Sequence, residues 1–244
     1  MKKTLIIALA MLLAGTTALA QNKKPQIKKV GNQPTTITIT EDAQKNNAKA
    51  MAADGETIDL PPAEMGLDAP LRHALDKRRT VRDFPEEEIP MEMLSSLLWS
   101  AYGFNRPEEQ KRVVPSAANV QEYDIYVFTP KGVFLYFAEK NSLVTLSNED
   151  HRSEISNQKF FAVAPVVIVL VANYDRMDIF KDKESRDFYA AVDAGYISQD
   201  IYLYCAANGL GTVACGAIER DAIQKILGIE NGRAILAHPV GFAK

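Results

Sequence analysis

The sequence predicts an α+β domain in which helices pack against a sheet. Three observations carry this. Helical spacing appears first along the chain, around residues 70 and 90. Two strand-like runs, 124–129 and 133–137, follow, separated by Pro130-Lys131-Gly132, which suits a hairpin turn. Residues 165–171 then form a continuous apolar, β-branched run, the pattern of a strand covered on both faces. Helices first, then strands and helices mixed, is the order expected of an α+β sheet.

Each element has a local reason. Asp68 and Pro70 suit a helix start, with Leu71, Ala74 and Leu75 on one face. A second helix begins near Pro90, carries Leu94, Leu97, Leu98 and Ala101 at helical spacing, and stops at Gly103. A long helix fits 186–208 and ends at Gly209. Residues 213–218 are a strand candidate, 221–227 a short helix, and 234–241 a final strand. No internal repeat is present.

The N-terminus reads as a targeting segment. Lys2 and Lys3 precede the apolar stretch 5–13, and Ala18-Leu19-Ala20 forms a small-x-small cleavage site, so residues 1–20 are expected to be a signal peptide. The stretch is short for a membrane span, although an uncleaved anchor is the alternative reading. Export, most simply to the periplasm of a Gram-negative bacterium, and no stable membrane insertion after cleavage are the expectations. Residues 21–57 form a polar tail or arm, in which the alternation Thr36-Ile37-Thr38-Ile39-Thr40 suits one short strand. The globular domain is expected at 58–244.

Composition excludes several classes of function. Of 28 Lys and Arg, two leave with the signal, against 31 Asp and Glu, so the mature chain carries about −5 and has no basic character to draw nucleic acid. His73, His151 and His238 stand singly, with no close His/Cys pair to hold zinc. Cys205 and Cys215 are read first as buried small side chains; an oxidising compartment would also permit a disulfide.

Three segments carry chemistry. Lys77-Arg78-Arg79-Thr80-Val81-Arg82 places four cations within six residues at a helix end, where an anion such as phosphate answers them well. The bland alternative is a solvated C-terminus whose cations suit the helix dipole. Pro115-Ser116-Ala117-Ala118-Asn119-Val120-Gln121 combines small residues with uncharged hydrogen-bonding ones, as needed where backbone approaches a flat ligand. Gly209-Leu210-Gly211 does not fit a dinucleotide fingerprint, because these glycines follow a helix and enter a strand. Gly216, beyond them, permits close approach by a ligand.

Taken in order, these segments resemble the nitroreductase superfamily, and within it the SagB-type dehydrogenase-like branch. The resemblance rests on Arg78-Arg79-Thr80-Val81-Arg82, on Leu97-Leu98-Trp99-Ser100-Ala101-Tyr102-Gly103, on Pro115-Ser116-Ala117, and on Ala206-x-x-Gly209-Leu210-Gly211 with Gly216. It covers about residues 58–244. It implies a three-layer fold with a central, mostly antiparallel sheet flanked by helices, a homodimer, and FMN held between the subunits. Arg78, Arg79, Thr80 and Arg82 would hold the phosphate, ribityl and pyrimidine edges. Pro115, Ser116 and Ala117 would come from the other subunit, with Asn119 and Gln121 beside them. Backbone at Cys215 and Gly216 would lie against the flavin near N5 and O4, and Lys244 would be the last phosphate ligand.

Thr80 replaces the family's usual Ser, Ala117 a second Ser or Gly, and Cys215 a frequent acidic residue.

The chemistry implied is ping-pong hydride or electron transfer through flavin N5, to or from a small-molecule or peptide-borne substrate, with no side-chain acid or base. NAD(P)H as the donor conflicts with export. Tyr102, Phe104, Tyr123 and Tyr196 are candidate pocket walls. A flavin-free binding protein that retains the fold is the alternative. A hydrolase ranks last, since G-x-S-x-G is absent.

Overall fold

The computed structural model describes residues 55–244; the expected signal peptide and the 36–40 strand lie outside them. Among these residues nine strands and five α-helices follow one another. They are β1 (Thr57–Asp59), α1 (Leu71–Lys77), α2 (Met91–Tyr102), β2 (Phe104–Arg106), β3 (Lys111–Arg112), β4 (Tyr123–Thr129), β5 (Gly132–Phe137), β6 (Ser142–Ser147), α3 (Phe160–Val163), β7 (Val166–Asn173), α4 (Lys183–Ala207), β8 (Leu210–Thr212), α5 (Arg220–Leu227) and β9 (Gly232–Phe242).

Seven strands form one sheet in the order β1-β6-β5-β4-β7-β9-β8, every pair antiparallel. Its centre is β7, where all eight residues of Val-Val-Ile-Val-Leu-Val-Ala-Asn are buried, as an apolar run covered on both faces requires. Side chains alternate between two cores. Ile168 and Leu170 join Leu97 and Leu98 of α2 and Ile197 and Ile201 of α4, whereas Val167 and Val169 join Phe161 of α3 and Ile223 of α5. The sheet is therefore the middle of three layers.

The helix boundaries follow their caps. α4 starts three residues earlier than its apolar pattern suggests, because Asp182 accepts the Ser185 N–H at 2.7 Å and the Ser185 hydroxyl at 2.9 Å. It ends at Asn208, followed by Gly209 at φ +71°.

Two expectations are corrected. Residues 213–218 are not a strand: the ladder stops at Thr212, and only the single bridge Cys215–Ala237 follows. The chain leaves the sheet because the Ala214 N–H donates to the Tyr202 hydroxyl at 2.9 Å instead of to β9. On α1, only Ala74 is buried, and its companions Leu71 and Leu75 are 65% and 54% exposed. Strands β1 and β6 and the β2–β3 ribbon have no counterpart in the sequence reading. Each is short, and β6 (Ser-Leu-Val-Thr-Leu-Ser) is half polar.

Candidate functional site

The residues singled out in the sequence gather at two places along α4. The first lies near its C-terminal end. After α1 the chain runs extended beside β8, where Thr80 bridges Thr212 in the parallel sense and the Val81 N–H donates to the Thr212 carbonyl at 2.9 Å. Gly211 makes this possible, since a Cβ there would stand 2.6 Å from the Cβ of Val81. The Arg-rich segment is thereby fixed against the sheet edge. Arg79, Lys77 and Lys244 line a cavity of about 230 Å³ with Tyr202, Leu210 and Thr212. The Arg78 guanidinium lies 5.3 Å over the Tyr202 ring. The Tyr202 hydroxyl also sits 3.2 Å from Thr80 Oγ1, joining α4 to both flanking segments.

Lys77, Arg78, Arg79, Arg82 and Lys244 are all exposed here, and among the described residues the carboxylate that answers them directly is Asp83, 2.7 Å from Lys244. The balance favours an anion, and forked guanidinium and ammonium donors suit a phosphate. Beneath, His238 is fully buried at the Thr212 hydroxyl, 3.2 Å away, and burial pushes its pKa down to about 3, so the imidazole is neutral. Arg82 stands near Cys215, whose thiol burial pushes up while the cation draws it down. Both backbone polar groups of Cys215 are committed to Ala237, at 2.8 and 2.9 Å. Gly216 is exposed, and its N–H has no protein partner among the described residues, so of the two it is Gly216 that can offer a backbone donor.

The second place is nearer the middle of α4. Asp193 accepts the Ala117 N–H at 2.7 Å, and the Ser116 hydroxyl accepts the Gln121 N–H at 3.0 Å. Gln121 turns inward and donates to the Gln110 carbonyl at 2.7 Å and to Asn119 Oδ1 at 3.3 Å. Pro115 and Asn119 are exposed. Asp193 and Tyr202 stand nine residues apart on one helix, about 13–14 Å at the helical rise. One chain therefore does not bring the Pro-Ser loop onto the arginine cluster.

Along its N-terminal half and past Asp193, α4 presents Phe188, Val192 and Tyr196, one turn apart and 60%, 37% and 46% exposed. Leu71 and Leu75 of the adjoining α1 are exposed as well. Of the candidate pocket walls, Tyr102 and Tyr123 belong to the core, and Phe104 carries the Arg112 guanidinium 4.1 Å over its ring. Sequence reasoning missed Tyr202, Asp193 and Glu122. A lone acid among Ala190, Val192 and Ala194 was the available signal for Asp193. Among the described residues no cluster of His, Cys, Asp and Glu could hold a metal ion, and no helix is long and apolar enough to cross a membrane.

Comparison with known proteins agrees with this architecture. The model of the nitroreductase family matches residues 75–242. A provisionally named nitroreductase of Methanocaldococcus jannaschii is 33% identical over 199 residues, covering 77% of this chain and 97% of the relative. The crystal structure of a protein from Ralstonia eutropha JMP134, also provisionally named a nitroreductase, superposes with a TM-score of 0.72 at 33% identity, over 77% of this chain and 90% of that one. An NADPH:FMN oxidoreductase from Vibrio harveyi, solved with NAD+, shares the fold at a TM-score of 0.54 and 18% identity, over 71% of this chain and 69% of that one. The chain belongs to the nitroreductase family, whose members are generally flavin-dependent oxidoreductases.

Proposed function

We propose that the protein is an FMN-dependent oxidoreductase of the SagB-type dehydrogenase-like branch, acting as a homodimer with its flavin between the subunits. The observation that carries this is the convergence of Lys77, Arg79 and Lys244 on one cavity beside β8, with Arg78 and Arg82 flanking it. A cavity of about 230 Å³ is smaller than ordinary small-molecule sites, roughly 300–1,000 Å³, but it accommodates a phosphate. The donor set fits the phosphate end of FMN, while the rest of the cofactor needs further walls. A second subunit supplies them in this reading. The exposed apolar stripe of α4 and α1 gives it a surface to pack on, and its own 115–121 loop becomes the missing part.

The bound flavin would supply hydride or electron transfer at its N5. The protein's part is binding and electrostatics. Arg79, Lys77 and Lys244 would hold the phosphate, Arg78 and Arg82 would add positive charge for the rest, and Gly216 would offer its exposed N–H. In this reading no side chain acts as an obligatory acid or base. The substrate is a small or peptide-borne molecule, and export after cleavage near Gln21 makes a donor other than NAD(P)H the working assumption. In this organisation residues 21–57 are an arm and 58–244 the flavin domain.

The test is a visible absorption spectrum of the purified protein, followed by identification of any released cofactor. An oxidised-flavin spectrum that bleaches with dithionite and releases FMN supports the reading. A colourless protein that takes up no added FMN overturns it in favour of a flavin-free binding protein. Substituting Arg78 and Arg82 by Ala should lower FMN content, and unchanged content would remove the assigned site.

A further inference from the structure

The 115–121 loop is held in a shape its own residues do not favour. Ala118, Asn119 and Gln121 lie at φ of 52°, 56° and 50°, left-handed positions that non-glycine residues adopt at a cost and keep only when surroundings impose them. The restraint comes from α4. Asp193, buried midway along that helix, accepts the Ala117 N–H at 2.7 Å. Next to the loop, Glu122 is completely buried and its carboxyl faces that of Asp193, while neither Glu122 oxygen has a hydrogen-bond partner of ordinary geometry among the described residues. The Glu122 carbonyl accepts the Asn173 N–H at 2.8 Å, and the neighbouring Tyr123 hydroxyl donates to the Ala190 carbonyl of α4.

We propose that Asp193, braced by Glu122, is the positioning residue that latches the 115–121 loop and so sets how tightly the protein holds flavin. Two facing carboxyls buried together do not both ionise readily. Burial pushes the Glu122 pKa up to about 8; burial raises Asp193 too, but the Ala117 N–H and the Glu122 carboxyl draw it back down, so of the two Glu122 keeps the proton and Asp193 carries the charge that the Ala117 N–H meets. The other charged and titratable groups around them are Arg176 after β7, Arg112 of β3, Asp124 and Tyr123 of β4, Tyr102 of α2 and Tyr174. Arg176 is engaged by Asp124 at 2.5 Å, and its pull on Glu122 is smaller than the effect of burial. When the loop lifts away, Glu122 is hydrated and regains its ordinary value of 4.5, so opening releases one proton between that pH and about 8. The opening equilibrium then rises about tenfold per pH unit in that window and levels off above it.

Only the consequence for flavin rests on the proposed function; the latch belongs to the chain itself. The test is hydrogen exchange at residues 117–121 in the flavin-stripped full chain, corrected for the intrinsic rate at each pH, beside FMN titration. Corrected exchange in the wild type should climb from pH 6 to about 8 and then flatten. It should be flat in Glu122→Gln, and roughly ten- to hundredfold faster at pH 7 in Asp193→Ala than in Asp193→Asn, which keeps an acceptor. FMN affinity should fall in Asp193→Ala and be largely rescued in Asp193→Asn. Flat exchange in the wild type, or a pH profile unchanged by Glu122→Gln, overturns the latch, and this holds even where Asp193→Ala fails to fold. Absence of FMN binding in every variant would sink the flavin reading instead, with the exchange profile still deciding the latch.

Discussion

Gly211→Ala places one methyl group where the Arg-rich segment meets the sheet. The added carbon would lie 2.6, 2.7 and 2.8 Å from the Cβ, Cγ1 and Cγ2 of Val81, about 1 Å inside ordinary carbon–carbon contact. Gly211 is not at positive φ, so the effect is steric and not conformational. Relief requires Val81 to move, and with it the Val81 N–H bond to Thr212 and the Thr80–Thr212 bridge. Overpacking of this kind costs about 1–3 kcal/mol, and one backbone hydrogen bond adds about 0.5–1.5 kcal/mol. A loss of about 2–4 kcal/mol would lower Tm by roughly 5–15 °C for a domain of this size. Because Arg79 and Arg82 ride on the same segment, FMN affinity should fall further than stability alone explains. The assay pairs thermal unfolding of the apo protein with FMN titration, and repeats both on Gly211→Ala combined with Val81→Gly. The double variant should recover part of each loss. A single variant with unchanged Tm and affinity would refute the claim that this contact positions the arginines.

Other consequences are more direct. Arg176 and Asp124 form a buried pair at 2.5 Å, with side chains 7% and 2% exposed, so Arg176→Met should destabilise the protein by about 3–5 kcal/mol in denaturant titration. His238 binds its proton only near pH 3 when folded but near 6.5 when unfolded. Stability should therefore fall with acid below pH 6.5, by about 1.4 kcal/mol per pH unit from this group, and His238→Gln should remove that slope between pH 6.5 and 5. Phe188→Lys with Tyr196→Glu should yield a monomer in sedimentation velocity with less retained flavin, and a dimer that keeps its flavin would move the interface off α4. Cys205 and Cys215 are free and buried, so a thiol reagent should label neither in the native protein and both after denaturation.

Local and periodic information was sufficient for much of this molecule. The apolar run in β7, the spacing of Leu94, Leu97, Leu98 and Ala101 in α2, and the Pro130-Lys131-Gly132 turn each specify an element without reference to distant residues, because side-chain periodicity and turn chemistry act over a few positions. The ordered motifs around Arg78, Pro115 and Gly209 were enough to point to the family. Tertiary structure alone decided the rest. Whether 213–218 continues the sheet depended on a tyrosine hydroxyl one turn from the end of α4, and the faces of α1 and α4 left exposed depended on how the described elements pack. Lys244 and Arg79 lining one cavity, and Asp193 meeting Glu122 and Ala117, join residues separated by dozens of positions. Hydrogen bonds and desolvation act over a few ångströms in space, so their effects become readable only once the fold has set those distances.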